Sequence, residues 1–434
     1  MKMIRELMEF LDNGLTSYHA IKQIKQNLNK NNCEQLSESK VWSLETGKSY
    51  FCIRNDSSLM AFRIPDCDIS SIKGFHVYAA HSDSPAFKIK ENPQINKENV
   101  YVSINTEKYG GMILSTWMDR PLTIAGRVCV EDNDKINTHI IKLKDNICMI
   151  PNLAIHMNRE VNSGYALNPQ TDMLPLMMMK NNDDKCDNMF NDMLADELST
   201  ITGRKYNTED ILAYDLFVEN CEKAVLAGVN DEFIMSSRYD DLACVFAGMK
   251  ALLESKPKEY IDILAVFDNE EVGSLTRQGA DSTFFRDILC NIADGLSISD
   301  NILRTWIAES FLVSADNAHA CHPNIASKAD PTNKPYLNNG IVLKYHGGQK
   351  YATDAFSAAY IKQICKKADI PLQTYANRSD ITGGSTLGNI AMSQISMAAA
   401  DIGLPQLAMH SAYEIAGIKD VQYLEQFAEY FFNM

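Results

Sequence analysis

The sequence predicts a mixed α/β protein with a mostly parallel central sheet, interrupted by an inserted β-rich domain. Residues 261–267 are apolar enough for a strand that is covered on both faces. Helix and strand patterns alternate up to residue 91 and again after residue 220. Between these regions, glycines, prolines and alternating apolar residues are typical of antiparallel strands. We therefore predict a core domain over 1–91 and 222–434 and an insertion over 92–221.

Length and charge limit the class of protein. A chain of 434 residues is long enough for two domains, each with its own core. A net charge of −15 opposes binding to nucleic acid or to an anionic membrane surface. No segment resembles a membrane span or a signal peptide, and the 11 cysteines form no C-x-x-C pair. We expect a cytoplasmic protein with free thiols and with neither nucleic acid nor membrane as a partner.

The other elements follow from hydrophobic periodicity. The predicted helices cover 2–12, 17–30, 188–198, 242–253, 282–293 and 352–366. The further predicted strands of the core domain cover 49–53, 59–64, 74–80, 306–314 and 342–345. The polar stretch 181–188 is predicted to be a surface loop.

Side chains able to bind a metal follow short apolar runs four times. They are His81, the pair Glu270 and Glu271, Asp316, and His410, while Asp240 stands at the start of a helix between them. Each has an ordinary structural explanation when taken alone, such as a capped turn or an acidic loop. Together they predict one site, because the carboxyl ends of parallel strands share one edge of a sheet. Two histidines and three carboxylates suffice for two zinc ions, with one further carboxylate left as a base.

The chain resembles the aspartyl aminopeptidases, a family of dizinc metallopeptidases. The matching motifs occur in the family's order along nearly the whole chain. They are His81-Ser-Asp-Ser-Pro, Arg238-Tyr-Asp240, Asp268-Asn-Glu-Glu-Val-Gly-Ser274, Ser314-Ala-Asp316-Asn-Ala-His319-Ala-Cys-His322-Pro-Asn324 and Met409-His-Ser411. The resemblance implies an α/β peptidase domain, an inserted dimerisation domain, and dimers that assemble into a tetrahedral dodecamer.

The resemblance also implies a role for each matching residue. Asp240 would bridge two divalent ions, with Zn²⁺ expected and Co²⁺ or Mn²⁺ as alternatives. His81 and Asp316 would complete one metal site, and Glu271 and His410 the other. Asp241 stands where Asn is usual, so the sequence leaves open which of the two aspartates bridges.

Further roles are implied outside the metal ligands. Glu270 would be the general base, and Asp83 would orient His81. Lys344 would bind the acidic side chain of the substrate, and His156 would reach the active site of a neighbouring subunit. The loop at Gly383 and Gly384 would offer backbone groups to the peptide; phosphate binding is a poor alternative there because no P-loop lysine follows.

The expected function is therefore removal of N-terminal residues, preferentially Asp or Glu, from peptides by a homo-oligomeric enzyme. Near Lys344 the chain departs from the family's pattern, since His346 and Lys350 stand where Asn and Arg are more usual. The alternative is an oligomeric shell or binding protein of the same fold in which peptidase activity is incidental.

Overall fold

The fold is described from a computed structural model that covers residues 1–180 and 188–434. Residues 181–187, most of the predicted polar loop, lie outside the described residues. The described chain forms two compact units. The first comprises Met1–Asp83, Ala224–Met409 and Glu414–Met434, and the second comprises Ser84–Lys223 and His410–Tyr413.

The strands and helices are numbered in chain order. The strands are β1 (Glu34–Leu36), β2 (Ser49–Arg54), β3 (Ser58–Arg63), β4 (Gly74–His81), β5 (Ala86–Lys97), β6 (Tyr101–Tyr109), β7 (Leu122–Asp132), β8 (Lys135–Lys142), β9 (Leu176–Met179), β10 (Ile211–Asn220), β11 (Val225–Ala227), β12 (Phe233–Ser236), β13 (Tyr260–Phe267), β14 (Phe311–Ala315), β15 (Ala318–His319), β16 (Ile341–Tyr345), β17 (Leu372–Ala376), β18 (Ala398–Gly403), β19 (Pro405–Leu407) and β20 (Glu414–Gly417). The helices are α1 (Lys2–Asn13), α2 (Ser17–Lys30), α3 (Met189–Thr202), α4 (Tyr239–Glu254), α5 (Phe284–Gly295), α6 (Asp300–Glu309), α7 (Ala355–Ala368), α8 (Leu387–Gln394) and α9 (Ile418–Phe432).

The first unit is organised around a nine-stranded sheet in the order β1-β2-β3-β13-β4-β14-β18-β16-β17. Five of its eight strand pairings are parallel, including β13 with β4, β4 with β14, and β14 with β18. A smaller sheet in the order β11-β12-β20-β19-β15 belongs to the same unit. The prediction of a mixed, mostly parallel central sheet is confirmed.

Both faces of the central sheet are buried, and β13 shows how the sequence produces this. Its side chains alternate between two hydrophobic cores: Ile261, Ile263, Ala265 and Phe267 point to one, and Leu264 and Val266 to the other. Because successive side chains of a strand point to opposite faces, a nearly continuous apolar run is needed when helices cover both sides. Helices α5, α6 and α8 contribute to the core of Ile261 and Phe267, and α1, α2, α4, α7 and α9 to the core of Leu264 and Val266.

One predicted element was wrong. The sequence predicts a strand over 306–314, but α6 continues to Glu309 and β14 begins only at Phe311. Trp306 is an apolar side chain of this amphipathic helix: it is buried, and its ring meets Phe75 edge-on at 5.8 Å. A short apolar run does not distinguish the buried side of a helix from a strand.

The second unit contains an antiparallel sheet in the order β8-β7-β10-β5-β6-β9, together with α3. Its core includes Phe87, Trp117, Ile124 and Leu216. The sequence places the start of the insertion at residue 92, whereas strand β5 of this sheet already begins at Ala86. The dimerisation role of this unit stays a prediction.

Two observations bear on the environment of the protein. No helix among the described residues is long and apolar enough to cross a membrane. The cysteines of the described part of the chain are free thiols.

Candidate metal centre

The first residues of the site lie at the carboxyl ends of neighbouring strands. His81 is the last residue of β4 and is paired with Phe267, the last residue of β13. Asp316 directly follows β14, the neighbour of β4 on its other side. Residues that are far apart in sequence are thus brought to one edge of the parallel strands.

His81 has a ring orientation suited to ligation. Its Nδ1 atom lies 3.0 Å from the carbonyl oxygen of Asp83, and since a carbonyl only accepts, Nδ1 donates this hydrogen bond. Its Nε2 atom lies 3.5 Å from Oδ1 of Asp240 and 3.8 Å from Oδ1 of Asp316. A neutral ring in this orientation offers the Nε2 lone pair to the space between the two carboxylates.

Asp83 organises the turn that carries the two glutamates. Its two carboxylate oxygens accept the backbone N–H groups of Glu270 and Glu271, each at 3.1 Å. The turn is flanked by Asn269 and Gly273, both in the left-handed region of φ. One carboxylate therefore contacts His81, whose Nδ1 lies 3.4 Å from Oδ1 of Asp83, and also fixes the glutamate pair.

Asp240 and Asp241 occupy the first turn of α4, where their backbone dihedral angles are not helical and the peptide bond between them is cis. Asp241 is fully buried, and its Oδ2 accepts the backbone N–H of His81 at 3.2 Å. Asp240 is 3% exposed, and its Oδ1 is the atom that faces the imidazole Nε2.

Lys344 is buried beside Asp316. Its Nζ donates to Oδ2 of Asp316 at 3.2 Å, to the carbonyl of Asp316 at 2.8 Å and to the carbonyl of Asn317 at 3.1 Å. Lys344 is 1% exposed, and these three bonds use all the donors of an ammonium group. Burial alone would raise the pKa of Asp316, but the charge of Lys344 and the contact with His81 hold that pKa below its usual range.

Acidic side chains outnumber cationic ones at this site. The acids are Asp83, Asp240, Asp241, Asp268, Glu270, Glu271 and Asp316. Burial raises the pKa of Glu270 to about 8 and that of Asp268 to about 7, and neighbouring carboxylates add to both shifts. Burial alone would lower the pKa of His81, but its contacts with the carboxylates raise it well above the ordinary value.

The residues present fit divalent metal ions. Ligand atoms of His81, Asp240, Asp241 and Asp316 lie within 4.8 Å of one another, and so do those of His81, Glu270 and Glu271. Imidazole nitrogen and carboxylate oxygen are ligands that zinc accepts. Several buried carboxylates with so little compensating positive charge are costly unless a cation is bound.

The remaining predicted residues have the following surroundings. His410 belongs to the second unit, where its Nδ1 donates to the carbonyl of Gly111 at 2.8 Å, a bond that leaves Nε2 as the acceptor nitrogen of a neutral ring. His156 is exposed on a loop of the second unit. Gly383 accepts a hydrogen bond from Nζ of Lys350 at 2.6 Å, and the α-carbon of Gly384 faces open space.

Three buried polar residues beside the site have no role predicted from the sequence: Asn317, Gln406 and Glu414. Glu414 accepts the backbone N–H of Asp240 at 3.0 Å, and Asn317 donates to Gln406 at 2.7 Å. Gln406 interrupts the apolar run 404–409, and a polar residue inside such a run is the available sequence signal. Its partners depend on the register of β15, β19 and β20, which the sequence does not provide.

Known proteins match this chain along its whole length. The model of a family described as "Aminopeptidase I zinc metalloprotease (M18)" matches residues 10–432. A protein of Clostridium acetobutylicum named "Probable M18 family aminopeptidase 2" is 42% identical, with the alignment covering 100% of this chain and 99% of that protein. A protein of the same name from Ectopseudomonas mendocina is 36% identical over 100% of this chain and 98% of its own length.

Solved structures agree in fold. A structure described as the complex of Ape4 and Nbr1 has a TM-score of 0.95 at 33% identity and covers 99% of this chain and 85% of that one. The mApe1 dodecamer of Saccharomyces cerevisiae has a TM-score of 0.84 at 26% identity, covering 99% and 95% of the two chains. An M18 aminopeptidase from Thermotoga maritima, at 22% identity, has a TM-score of 0.85 over 99% of this chain and 95% of its own, and supports the fold alone.

Proposed function

The chain belongs to the aminopeptidase I zinc metalloprotease family (M18), and we propose that it removes N-terminal acidic residues from peptides at a two-metal site on the central sheet. Membership of the family makes it a metallo-aminopeptidase. The observation that best supports the location is the buried cluster of His81 and Asp316, at the ends of adjacent strands, and Asp240, at the start of α4, whose ligand atoms lie within 4.8 Å of one another.

The proposed centre holds two zinc ions. Asp240 bridges them, His81 and Asp316 complete one site, and Glu271 and His410 complete the other. The imidazole of His81 that points at Asp240, and the Nδ1 bonds that leave Nε2 as the acceptor in both His81 and His410, support this assignment. Bound zinc supplies two effects, a lower pKa for water and polarisation of the peptide carbonyl.

Glu270 is the proposed general base. It accepts a proton from the attacking water and passes it to the leaving amine, so it must not be fully neutralised by a metal. Its backbone N–H is held by one oxygen of Asp83 and that of Glu271 by the other, which anchors the adjacent glutamates at one turn. The adjacency allows separate roles, since consecutive side chains diverge.

The proposed preference for acidic residues rests on Lys344, with backbone groups at Gly383 and Gly384 binding the peptide. A substrate carboxylate must replace one of the three oxygens that now accept from Nζ of Lys344. We expect the substrate carboxylate to replace Oδ2 of Asp316, which is also a carboxylate oxygen. A carboxylate that binds a metal gives up part of its charge to the metal and is then a weaker acceptor for Lys344. A buried lysine without water as a competing partner can distinguish an acidic from a neutral side chain.

The proposed assembly is a homo-oligomer, built from dimers up to a dodecamer, in which His156 of one subunit reaches the active site of another. The exposure of His156 and of its neighbours Leu153, Ile155 and Met157 supports a loop that is covered by another chain. A shell or binding protein with incidental peptidase activity is the alternative, and the intact set of acids at the site counts against it.

The function is tested with peptides that begin with Asp, Glu, Ala, Leu or Lys and are otherwise identical. We expect the largest kcat/KM for Asp and Glu. Loss of a general base is expected to cost about 100- to 10,000-fold in rate, so Glu270→Gln should lose activity on every peptide while keeping its zinc.

Glu271→Gln is the matched control, since it makes the same change at the next residue. It should lose zinc from one of the two sites, so zinc per chain separates the two roles. Equal rates for wild type and Glu270→Gln would remove Glu270 as the base. If the enzyme is active but shows no preference for Asp and Glu, the peptidase function stands and the acidic specificity is refuted.

A further inference from the structure

A buried hydrogen-bonded chain of three side chains links Asn317, the residue after Asp316, to the backbone of Asp240. Its members are Asn317, Gln406 and Glu414, which are 4%, 1% and 2% exposed. Nδ2 of Asn317 donates to Oε1 of Gln406 at 2.7 Å, and Nε2 of Gln406 donates to Oε1 of Glu414 at 3.1 Å. We call these three residues the buried relay.

The relay holds the peptide bond between Tyr239 and Asp240. At one end, Oε2 of Glu414 accepts the backbone N–H of Asp240 at 3.0 Å. At the other, Asn317 directly follows Asp316, and its Nδ2 also donates to the carbonyl of Tyr239, the residue before Asp240, at 3.1 Å. The backbone at Asp240 is therefore held from both sides.

The direction of every bond in the relay follows from its terminal carboxylate. Glu414 receives two donors, one on each oxygen, as an ionised carboxylate does. Gln406 must then present its amino group to Glu414 and its oxygen to Asn317. A single reversed amide would place two donors or two acceptors face to face, and such a mismatch is costly when buried.

We propose that Glu414 is a positioning residue that sets the place of Asp240 for metal binding through this relay. The inference rests on the proposed function, because it takes Asp240 to be a metal ligand. Groups behind the ligands of a metal site commonly change affinity by about 10- to 100-fold when they are removed. Both oxygens of Glu414 accept hydrogen bonds, one from the backbone N–H of Asp240 and one from Gln406, so the proposed role of Glu414 is to position Asp240 and not to bind the metal.

The experiment measures zinc affinity of the full-length protein in zinc-buffered solutions. Glu414→Gln keeps the size of the side chain but turns one oxygen into a donor that faces Nε2 of Gln406. We expect zinc affinity to fall by about 10- to 100-fold. The double change Glu414→Gln with Gln406→Glu moves the carboxylate one step along the relay, gives every donor an acceptor again, and should restore most of the affinity.

Asp420→Asn is the matched control. Asp420 is equally buried in the same unit, and its two oxygens accept the backbone N–H groups of Asn338 and Gly340 at 2.6 and 2.9 Å. The change again turns an accepting carboxylate into an amide, so it should lower thermal stability while zinc affinity stays at the wild-type value. A general effect of disturbing a buried acid would instead lower zinc affinity in both variants.

Each result decides between the inference and the function on which it rests. If wild type binds no zinc, the metal centre is wrong and the inference fails with it. If wild type binds zinc and Glu414→Gln binds it equally well, or the double change binds no better than Glu414→Gln, only the inference is wrong. Should Glu414→Gln not fold, the double change alone decides: affinity near wild type supports the relay, and a large loss refutes it.

Discussion

Asp240 and Asp241 are consecutive residues that hold His81 in two different ways. Oδ1 of Asp240 lies 3.5 Å from Nε2 of the His81 ring, whereas Oδ2 of Asp241 accepts the backbone N–H of His81 at 3.2 Å. The first contact is one that a shared metal ion would mediate, and the second supports the backbone. Whether Asp240 or Asp241 bridges the metals can therefore be tested by comparing zinc binding in variants of the two residues.

The first prediction is that Asp240→Asn and Asp241→Asn differ in zinc binding. Asp240→Asn removes the proposed bridging ligand and should weaken zinc binding by more than about 100-fold, the upper range for residues behind the ligands. Asp241→Asn keeps an amide oxygen that can accept from the N–H of His81, so its loss should stay below about 10-fold. Zinc per chain after dialysis in zinc buffers gives both values. The reverse order would make Asp241 the bridge.

The second prediction concerns Lys344, whose Nζ now donates to Asp316 and to two backbone carbonyls. Lys344→Met keeps the length of the stem and removes the charge. At saturating zinc, we expect the ratio of kcat/KM for Asp peptides over Ala peptides to fall by about 10- to 100-fold, the value of one charged hydrogen bond.

Lys350→Met is the control for the second prediction, since Lys350 also carries a positive charge in this unit and donates to the carbonyl of Gly383. It should change the ratio much less. If Lys344→Met instead slows all peptides equally and lowers zinc affinity, Lys344 supports Asp316 and the acidic preference has another origin.

The third prediction tests whether His156 acts on a neighbouring subunit. His156→Ala and Glu270→Gln should each be inactive as a pure protein. When the two variants are co-expressed with different tags and mixed oligomers are purified, a subunit with His156→Ala keeps its Glu270 and receives His156 from its neighbour. Activity should reappear in the mixed oligomers. If no activity returns although mixed oligomers form, His156 acts within its own chain or not at all.

The ends of the strands were predictable because they depend on local pattern. A buried parallel strand must be apolar on both faces, so the abrupt change to His81 after β4 and to Asp316 after β14 marks the edge of the sheet where ligands gather. The same pattern gave a wrong prediction at Trp306, an apolar residue near the end of α6 that was assigned to the following strand.

The contacts of Lys344 and of the buried relay were not predictable, because they depend on strand order. Lys344 reaches Asp316 only because β18 lies between β14 and β16 in the sheet. Glu414 reaches the N–H of Asp240 only because β20 pairs with β12, the strand that precedes α4. A single sequence indicates that such polar residues are buried but not which partners satisfy them.

The fourth prediction concerns His76, a buried histidine on β4 outside the site. Its ring stacks on Tyr260 with a centroid distance of 4.1 Å and lies 4.7 Å from Phe431, and its Nδ1 is 3.9 Å from Oδ1 of Asp262. Burial lowers the pKa of His76 from 6.5 to about 3. Below pH 6.5, His76 therefore binds a proton in the unfolded chain but stays neutral in the folded chain down to about pH 3.

The sign of the pH effect follows from this difference. Between about pH 3 and 6.5 the unfolded state holds more protons, so stability falls as the pH falls, by about 1.4 kcal/mol for each pH unit and roughly 2 kcal/mol at pH 5. His76→Phe keeps an aromatic ring between Tyr260 and Phe431 but removes the titrating nitrogen. Thermal midpoints at pH 7.5 and pH 5 should therefore differ less for this variant than for wild type. The exposed His322, changed in the same way to Phe, is the control and should leave the wild-type difference in place; an equal pH dependence in wild type and His76→Phe would show that His76 takes up its proton without unfolding.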